Sequence, residues 1–330
     1  MHVMTEKQRF LGTLLGDGSD RFPFFDLEPD EAALERWHKE GLPARTSVAE
    51  YFNLEMHHSV GLMLRSHPFF RKAPDLLFDP SAFGRRYDPD DPSRYARGFE
   101  RRCRRLNREG KVVCVEASGG GLLQMLGVGD WESFEAACSA FVMQPERVEE
   151  IVARTTDFYC TCLERVLSRA TVDYASFYEP IASNAGPVIS PAMFERFAMP
   201  GYRKVIDILE KFHVPLRILC TTGGNLKSLL PSLIDAGING LWISNITSAG
   251  MDYDSLRRRF GPRVALIGGI NAAALSRDET AVRNAVEKTV PALLEGGRYL
   301  PCLDDRPRAD ISLARYRQYR RILEEIALRG

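Results

Sequence analysis

Residues 216–243 read LRILCTTGGNLKSLLPSLIDAGINGLWI and contain one complete strand, helix and strand. Leu216–Cys220 and Gly240–Ile243 are short apolar runs, which are typical of buried strands. Between them, Asn225–Ala236 has helical spacing, and Gly237 stands where a left-handed helix cap is expected. A strand, a helix and a second strand in this order predict two parallel strands joined by a right-handed crossover.

The same alternation runs through the second half of the chain. The apolar spacing predicts one helix over Pro145–Ser168, and Ser190 followed by Pro191 predicts the start of another that continues through Lys211. About six to eight strand–helix units favour a closed α/β (β/α)8 TIM barrel over an open sheet. The predicted strands are Val112–Ala117, Tyr174–Tyr178, Leu216–Cys220, Gly240–Ile243, Ala265–Gly268 and Arg298–Leu300.

No linker or low-complexity segment divides the chain, so residues 1–330 are expected to form a single barrel domain. About 1–110 would be an N-terminal helical extension and lid packed on the barrel. Within it, the segment Pro74–Arg105 is rich in Pro, Asp and Arg and is interpreted as the lid.

The composition is that of an ordinary soluble globular protein. Lys+Arg and Asp+Glu both number 44, and the resulting net charge of zero argues against nucleic-acid binding. Zero net charge does not exclude a local basic patch, such as Arg101, Arg102, Arg104 and Arg105. The seven cysteines form no CxxC pair, and no stretch is apolar for the ~20 residues that span a membrane. A cytoplasmic protein without membrane contact is therefore expected.

The active site of a barrel lies where the strands end, in the loops that lead into the helices. Any single carboxylate there could be a rim residue paired with one of the many arginines, but several converge. The adjacent pair His57-His58 does not suit one metal ion, because neighbouring side chains diverge, and His57 is kept as a substrate-binding candidate. The strand-end candidates are Glu116, Tyr178, Glu179, Thr221, Thr222, Asn225, Asn245, Asn271, Asp304 and Asp305.

Several motifs together resemble the uroporphyrinogen decarboxylase superfamily, which also contains corrinoid-linked methyltransferases. Residues 179–197, EPIASNAGPVISPAMFERF, resemble its GPxISPxMF joint. The resemblance implies a single (β/α)8 barrel with N-terminal helical additions, in agreement with the pattern of strands and helices. It continues through Thr221-Thr-Gly-Gly-Asn225, Ala249-Gly-Met-Asp252, Leu266-Ile-Gly-Gly-Ile-Asn271, Gly296-Gly-Arg-Tyr-Leu-Pro301 and, near the N-terminus, Leu34-Glu-Arg-Trp-His-Lys-Glu-Gly-Leu-Pro43.

Departures from the family pattern limit which functions carry over. The zinc-dependent methyltransferases have a His-x-Cys and a late Cys where this chain has Thr221, Gly223 and Asp305. No usual zinc site is therefore expected, and Cys220 and Cys302 are only weak metal candidates.

The resemblance to the decarboxylase itself is also incomplete. Its Arg-rich signature and its aspartate motif are missing from this chain. Arginines are nevertheless expected to approach the mouth of the barrel, where they would suit carboxylate recognition, with surface ion pairing as the alternative: Arg217, Arg298, Arg306 and Arg308.

The sequence therefore predicts methyl transfer between a small methylated substrate and a corrinoid (cobalamin) on a partner protein, without the usual zinc and with no tightly bound cofactor. Glu179, Asp305 and Tyr178 would protonate or orient the substrate. Two alternatives remain open: a cofactor-free decarboxylase (lyase) acting on a tetrapyrrole or other polycarboxylate, and a non-catalytic tetrapyrrole-binding protein. A homodimer is also left open.

Overall fold

A computed structural model describes residues 4–62 and 87–328, apart from 118, 120, 222 and 248. The chain divides into two compact units. The terminal unit consists of Met1–His57, Gly110–Val112 and Gly240–Gly330. The central unit consists of His58–Glu109 and Val113–Asn239.

Helices and strands alternate along most of the chain. The helices are α1 (Glu6–Leu15), α2 (Glu31–Lys39), α3 (Val48–Tyr51), α4 (Phe99–Arg108), α5 (Leu122–Met125), α6 (Trp131–Met143), α7 (Pro145–Leu167), α8 (Pro191–Phe197), α9 (Met199–Lys211), α10 (Leu230–Asp235), α11 (Tyr253–Phe260), α12 (Glu279–Glu295) and α13 (Leu313–Ala327). The strands are β1 (His57–Ser59), β2 (Val112–Glu116), β3 (Tyr174–Tyr178), β4 (Ala182–Ser183), β5 (Gly186–Pro187), β6 (Leu216–Thr221), β7 (Gly240–Ile243), β8 (Ala265–Ile267) and β9 (Tyr299–Leu300).

The central unit contains three parallel strands in the order β2, β3, β6. Cys114 lies opposite Tyr174, which lies opposite Leu216, and the register continues to Tyr178 opposite Cys220. Helices α7 and α9 pack on each other, and the ring of Tyr202 on α9 stacks on Phe177 of β3 at 5.5 Å. One face of this sheet is therefore covered by helix.

The terminal unit repeats the arrangement with β7, β8 and β9. These strands are also parallel, with Leu241 opposite Leu266 and Leu266 opposite Tyr299. The hydroxyl of Tyr253 on α11 donates to the carbonyl of Ile267 at 2.6 Å and so fastens α11 to β8. Both units thus consist of parallel strands alternating with helices, and the predicted α/β class of the TIM-barrel type is confirmed.

All six predicted strands are present within about a residue of their predicted bounds, since short buried apolar runs define them well. The helix predicted from Asn225 is wrong at its start, because α10 begins at Leu230. The helix predicted from Pro191 to Lys211 is two helices that meet at Ala198, where Pro200 cannot donate a backbone hydrogen bond.

The first part of the predicted lid, residues 74–86, lies outside the described residues. Its second part contains a short 3-10 turn, Pro92–Arg94, and α4. Among the helices that the structure describes, none is long and apolar enough to cross a membrane.

Candidate functional site

Polar side chains share one face of the sheet in the central unit. Alternation along each strand and the observed register place them together, because neighbouring strands present register partners to the same side. We call this the polar face. It consists of Cys114, Glu116, Tyr174, Ser176, Tyr178, Leu216, Ile218 and Cys220.

The carboxyl ends of the strands carry the accessible part of the polar face. Glu116, Ser176, Tyr178 and Cys220 are half-buried, whereas Tyr174 is buried beneath them. None of the residues that form the polar face is Lys or Arg. Of the residues that the structure describes, these strands contribute hydrogen-bonding groups, thiols and one carboxylate to the polar face, and no positively charged side chain.

Glu179 does not lie on the polar face. It continues the alternation of β3 on the side of Phe177, and its Oε2 accepts a hydrogen bond from the hydroxyl of Tyr202 at 3.1 Å. Both carboxylate oxygens also lie 3.2 Å from the backbone N–H of Leu122, at the start of α5. The carboxyl group is completely buried under helix, so it is separated from Tyr178 by the sheet.

Burial raises the pKa of Glu179 to about 7, although the Leu122 N–H and the Tyr202 hydroxyl both favour the charged form. Gly121 packs against this carboxyl group with φ +91°, and a Cβ there would lie 2.6 Å from Oε1. Glu179 thus ties the loop after β2 to the end of β3. The carboxyl group is shielded from bulk water, and its contacts make Glu179 a clamp between these two segments.

In the terminal unit, Asp304 connects the ends of three strands. Its carboxylate accepts the N–H of Ala272 at 2.8 Å, and its own N–H donates to the carbonyl of Ile270 at 2.8 Å. Its carbonyl accepts the N–H of Asn245 at 3.0 Å. Burial raises the pKa of Asp304 to about 6. Asp304 therefore acts mainly as a connector between strand ends.

Asp305 is the more accessible of the two aspartates, with its side chain 23% exposed. Its Oδ2 accepts a hydrogen bond from Nδ2 of Asn245 at 3.0 Å, and the guanidinium of Arg308 lies 3.8 Å away. Asn245 and Asp305, which the sequence named separately as strand-end candidates, are thus in direct contact. Arg306 points into solvent, and only its backbone N–H contacts Asp305.

A buried polar cluster holds the segment that leads to Asp305. Oδ1 of Asp26 accepts the N–H of Leu303 at 2.9 Å. The same carboxylate accepts the hydroxyls of Tyr316 and Tyr319 and pairs with Arg320 at 3.0 Å. Asp26 is fully buried, so the polar groups around it supply the hydrogen bonds that water would otherwise give.

Two of the predicted carboxylate anchors lie at the amino ends of their strands. Nε of Arg217 donates to the carbonyl of Gly237 at 2.7 Å, and Nε of Arg298 donates to that of Leu14 at 2.7 Å. Arg217 follows the first residue of β6, and Arg298 precedes β9. Both guanidinium groups donate hydrogen bonds to backbone carbonyls at the amino ends of the strands, opposite to the expected site. The prediction that these two arginines anchor substrate carboxylates is therefore wrong.

The remaining predicted residues have different surroundings. Thr221 is buried on the helix-covered side, and Thr222 lies outside the described residues. The side chains of Asn225 and Asn271 accept backbone N–H groups in their own turns. His57 is half-buried and stacks on Phe25 with the ring centroids 4.1 Å apart, and the ring of Trp242 lies nearly perpendicular to that of Phe25 at a centroid distance of 5.3 Å.

The two candidate thiol ligands also differ. Cys220 lies on the polar face, opposite Tyr178 in the register. Cys302 is fully buried, and burial raises the pKa of its thiol well above the usual value, which disfavours the thiolate that a metal needs. Within the described ranges, no three His, Cys, Asp or Glu side chains are placed to hold a metal ion.

Sequence reasoning missed Ser176 on the polar face and Tyr202 as the partner of Glu179. Ser176 is two residues before Tyr178, so strand alternation alone would place it beside Tyr178. The role of Tyr202 had no comparable signal, because it depends on how α9 packs on β3.

A family model described as uroporphyrinogen decarboxylase (URO-D) matches residues 117–300, more than half of the chain. The uroporphyrinogen decarboxylase of Ectopseudomonas mendocina is 32% identical over 122 residues, which cover 35% of this chain and 32% of that protein. The enzyme of the same name from Alkalilimnicola ehrlichii is 26% identical over 209 residues, 62% of this chain and 54% of that protein. A chloroplastic one from Nicotiana tabacum is 26% identical over 114 residues, 34% of this chain and 27% of that protein. The chain thus matches between about a quarter and about half of the length of these relatives.

Proposed function

Because the chain belongs to the uroporphyrinogen decarboxylase family, we propose that it is an enzyme that transfers a methyl group between a small methylated substrate and a corrinoid carrier protein. The observation that carries this proposal is the polar face, which combines a carboxylate, hydroxyls and thiols with no Lys or Arg. Such a surface suits a neutral or cationic substrate. A polycarboxylate would bring further negative charge to the face on which Glu116 lies, where the described strands contribute no Lys or Arg.

Tyr178 is the residue that we propose to act on the substrate. Its hydroxyl donates a hydrogen bond to the heteroatom that bears the methyl group, and Glu116 and Ser176 orient the rest of the molecule. In a neutral substrate, the electron pair stays on the heteroatom when its bond to the methyl carbon breaks, and the proton from Tyr178 neutralises it. The corrinoid of the partner protein, if reduced to cobalt(I), would supply the electron pair for the new bond to the methyl carbon, and Tyr178 would recover a proton from solvent.

Zinc, which related methyltransferases use, does not fit the residues of this chain. Thr221 offers a neutral hydroxyl on the helix-covered side, and Gly223 offers no side chain. Neither replaces an imidazole or a thiolate. No step of the proposed reaction is therefore assigned to a metal.

Decarboxylation is the second candidate, and the names of the curated relatives favour it. In that reaction a proton replaces carbon dioxide, and Tyr178 would supply it. The backbone contacts of Arg217 and Arg298 weigh against this candidate, because these guanidinium groups are occupied away from the strands' carboxyl ends.

One assay separates the candidates. The purified protein is incubated without oxygen with reduced cobalamin and a panel of methylated amines, thioethers and aryl methyl ethers, and in parallel with coproporphyrinogen- and uroporphyrinogen-type substrates. We expect methylcobalamin to form with one class of the panel and not with the Tyr178→Phe variant. Release of carbon dioxide without methylcobalamin would favour the decarboxylase, and neither product would favour a binding protein.

A further inference from the structure

Helix α4 presents an unusual concentration of positive charge. Five of its ten residues are exposed arginines, while Phe99, Cys103 and Leu106 are buried beneath them. The whole chain has equal numbers of acidic and basic residues, so this concentration is not a consequence of composition. The exposed arginines are Arg101, Arg102, Arg104, Arg105 and Arg108.

A cleft of about 690 Å³ lies beside α4 in the central unit. This volume is in the range of small-molecule sites. Arginines border it from both sides, because Arg104 and Arg108 come from α4 and Arg169 comes from the segment after α7. The cleft is lined by Cys103, Arg104, Asn107, Arg108, Arg169, Ala170 and Thr171.

The two walls of the cleft are bonded to each other. Nδ2 of Asn107 donates to the carbonyl of Thr171 at 3.0 Å, and the thiol of Cys103 donates to the same carbonyl at 3.2 Å. Since both donors come from α4, these bonds fix the helix against the segment that carries Arg169. The arginines at the cleft therefore come from two segments that hydrogen bonds hold together.

The guanidinium groups at this cleft are weakly engaged by the protein. Arg104 makes no side-chain hydrogen bond or ion pair with the part of the chain that the structure describes. Within the described residues, Nε of Arg108 reaches only the carbonyl of Arg104 at 3.4 Å, and Arg169 reaches Glu100 at 3.5 Å, with the two side chains 61% and 39% exposed. Three arginines thus line one cleft, and of these, within the part of the chain that the structure describes, Arg169 alone pairs with a carboxylate, that of Glu100.

We propose that this cleft binds a small soluble molecule carrying two or more phosphate groups. Arginine suits phosphate because its planar fork donates two parallel hydrogen bonds, and a ligand with several negative charges balances three arginines. A concave cleft of this volume on a chain of zero net charge favours a small ligand over an extended polyanion.

The cleft is separate from the polar face, on which we place the proposed reaction. Helix α4 ends shortly before β2, and Arg169 precedes β3, so the cleft lies at the amino ends of these strands. Tyr178 and Glu116 lie at their carboxyl ends. The ligand is therefore expected to regulate or localise the protein rather than to react on it, and this inference does not depend on the proposed reaction.

Calorimetric titration with inorganic tripolyphosphate at about 0.15 M salt tests the proposal, because that salt screens diffuse attraction. We expect saturable binding that Arg104→Gln/Arg108→Gln weakens by at least about tenfold. The matched control is Arg258→Gln/Arg259→Gln, which removes the same charge from exposed arginines on α11 and should change the Kd less than about twofold. Arg104→Lys/Arg108→Lys keeps the charge but loses the fork, so it should also weaken binding.

Parallel arms use vesicles containing phosphatidylglycerol and a short single-stranded oligonucleotide. Tripolyphosphate binding that depends on the cleft arginines supports the proposal even if these larger polyanions also bind. Equal weakening in the control variant, no binding of tripolyphosphate, or binding to vesicles or oligonucleotide alone would overturn it. Melting temperatures of all variants check that each is folded.

Discussion

The hydroxyl of Tyr202 donates a 3.1 Å hydrogen bond to the carboxyl group of Glu179, and this bond connects α9 to the end of β3. It also places Glu179 on the side of the sheet away from Tyr178. The two adjacent residues therefore have different proposed roles. We propose that Tyr178 acts on the substrate and that Glu179 holds the loop after β2.

The clamp makes folding stability depend on pH. The pKa of Glu179 is about 7 in the folded protein and 4.5 is its ordinary value, so between these pH values the folded state holds more protons than the unfolded state. The free energy of unfolding therefore falls as the pH rises from about 4.5 to about 7, by up to about 3 kcal/mol.

Glu179→Gln, which cannot ionise, isolates this effect. We expect the free energies of unfolding of the variant and the wild type to agree within about 1 kcal/mol at pH 5. Above pH 7 the variant should be more stable relative to the wild type than it is at pH 5. Urea unfolding of both proteins at several pH values measures the difference. Parallel stability curves for the two proteins would contradict the assignment, and Asp304 does not confuse the comparison because it is present in both.

Gly121 is expected to tolerate no side chain. Its φ of +91° is unfavourable for alanine, and a Cβ would lie 2.6 Å from Glu179 and 2.7 Å from the carbonyl of Tyr178. Gly121→Ala should lower the free energy of unfolding by about 2–4 kcal/mol. Gly297→Ala is the control, because Gly297 also has a positive φ, +67°, but a Cβ there would have no atom within 4 Å. This change should lower the free energy of unfolding by only about 1 kcal/mol. Equal losses in the two variants would show that backbone strain alone is responsible.

Asp305 is expected to contribute to ligand binding. Its half-buried carboxylate is held by Asn245, which leaves its other oxygen directed mainly to the backbone N–H of Arg306. Asp305→Ala should weaken binding of the native ligand by about 1.5–3 kcal/mol, the range for a hydrogen bond to a charged group. Titration calorimetry measures the change, with the far-ultraviolet spectrum as the control for folding. An unchanged affinity would reduce Asp305 to a packing residue.

The purified protein is expected to contain less than about one tenth of an equivalent of zinc, because imidazole and thiolate are missing from the positions at which the zinc-dependent methyltransferases would have them. Elemental analysis after mild dialysis measures this. A stoichiometric metal would contradict it, and Cys220, Cys302 and Asp305 would then be the ligands to mutate.

The strands were predictable from the sequence because each is a short buried apolar run between turn residues. The faces of the strands were partly predictable, since alternation from Tyr178 excludes Glu179 and includes Ser176. Which face is covered by helix could not be predicted, because that depends on the packing of α9 and on a contact between residues 177 and 202. The amino-end positions of Arg217 and Arg298 follow from strand direction, which the prediction of carboxylate anchors did not use.

The Asp304 segment shows a different limit. Two adjacent aspartates after a strand indicated a site, but the sequence could not distinguish the connector Asp304 from the more accessible Asp305. The distinction arises from contacts with residues far along the chain, such as the N–H of Ala272 and the side chain of Asn245.

The most direct test of the central claim compares the rates of methylcobalamin formation by Tyr178→Phe and Glu179→Gln, both confirmed to be folded by their melting temperatures. The account predicts that Tyr178→Phe lowers kcat by about 10²-fold or more, as expected for loss of a proton donor, while Glu179→Gln keeps kcat within about tenfold of the wild type. An inactive Glu179→Gln together with an active Tyr178→Phe would contradict the account.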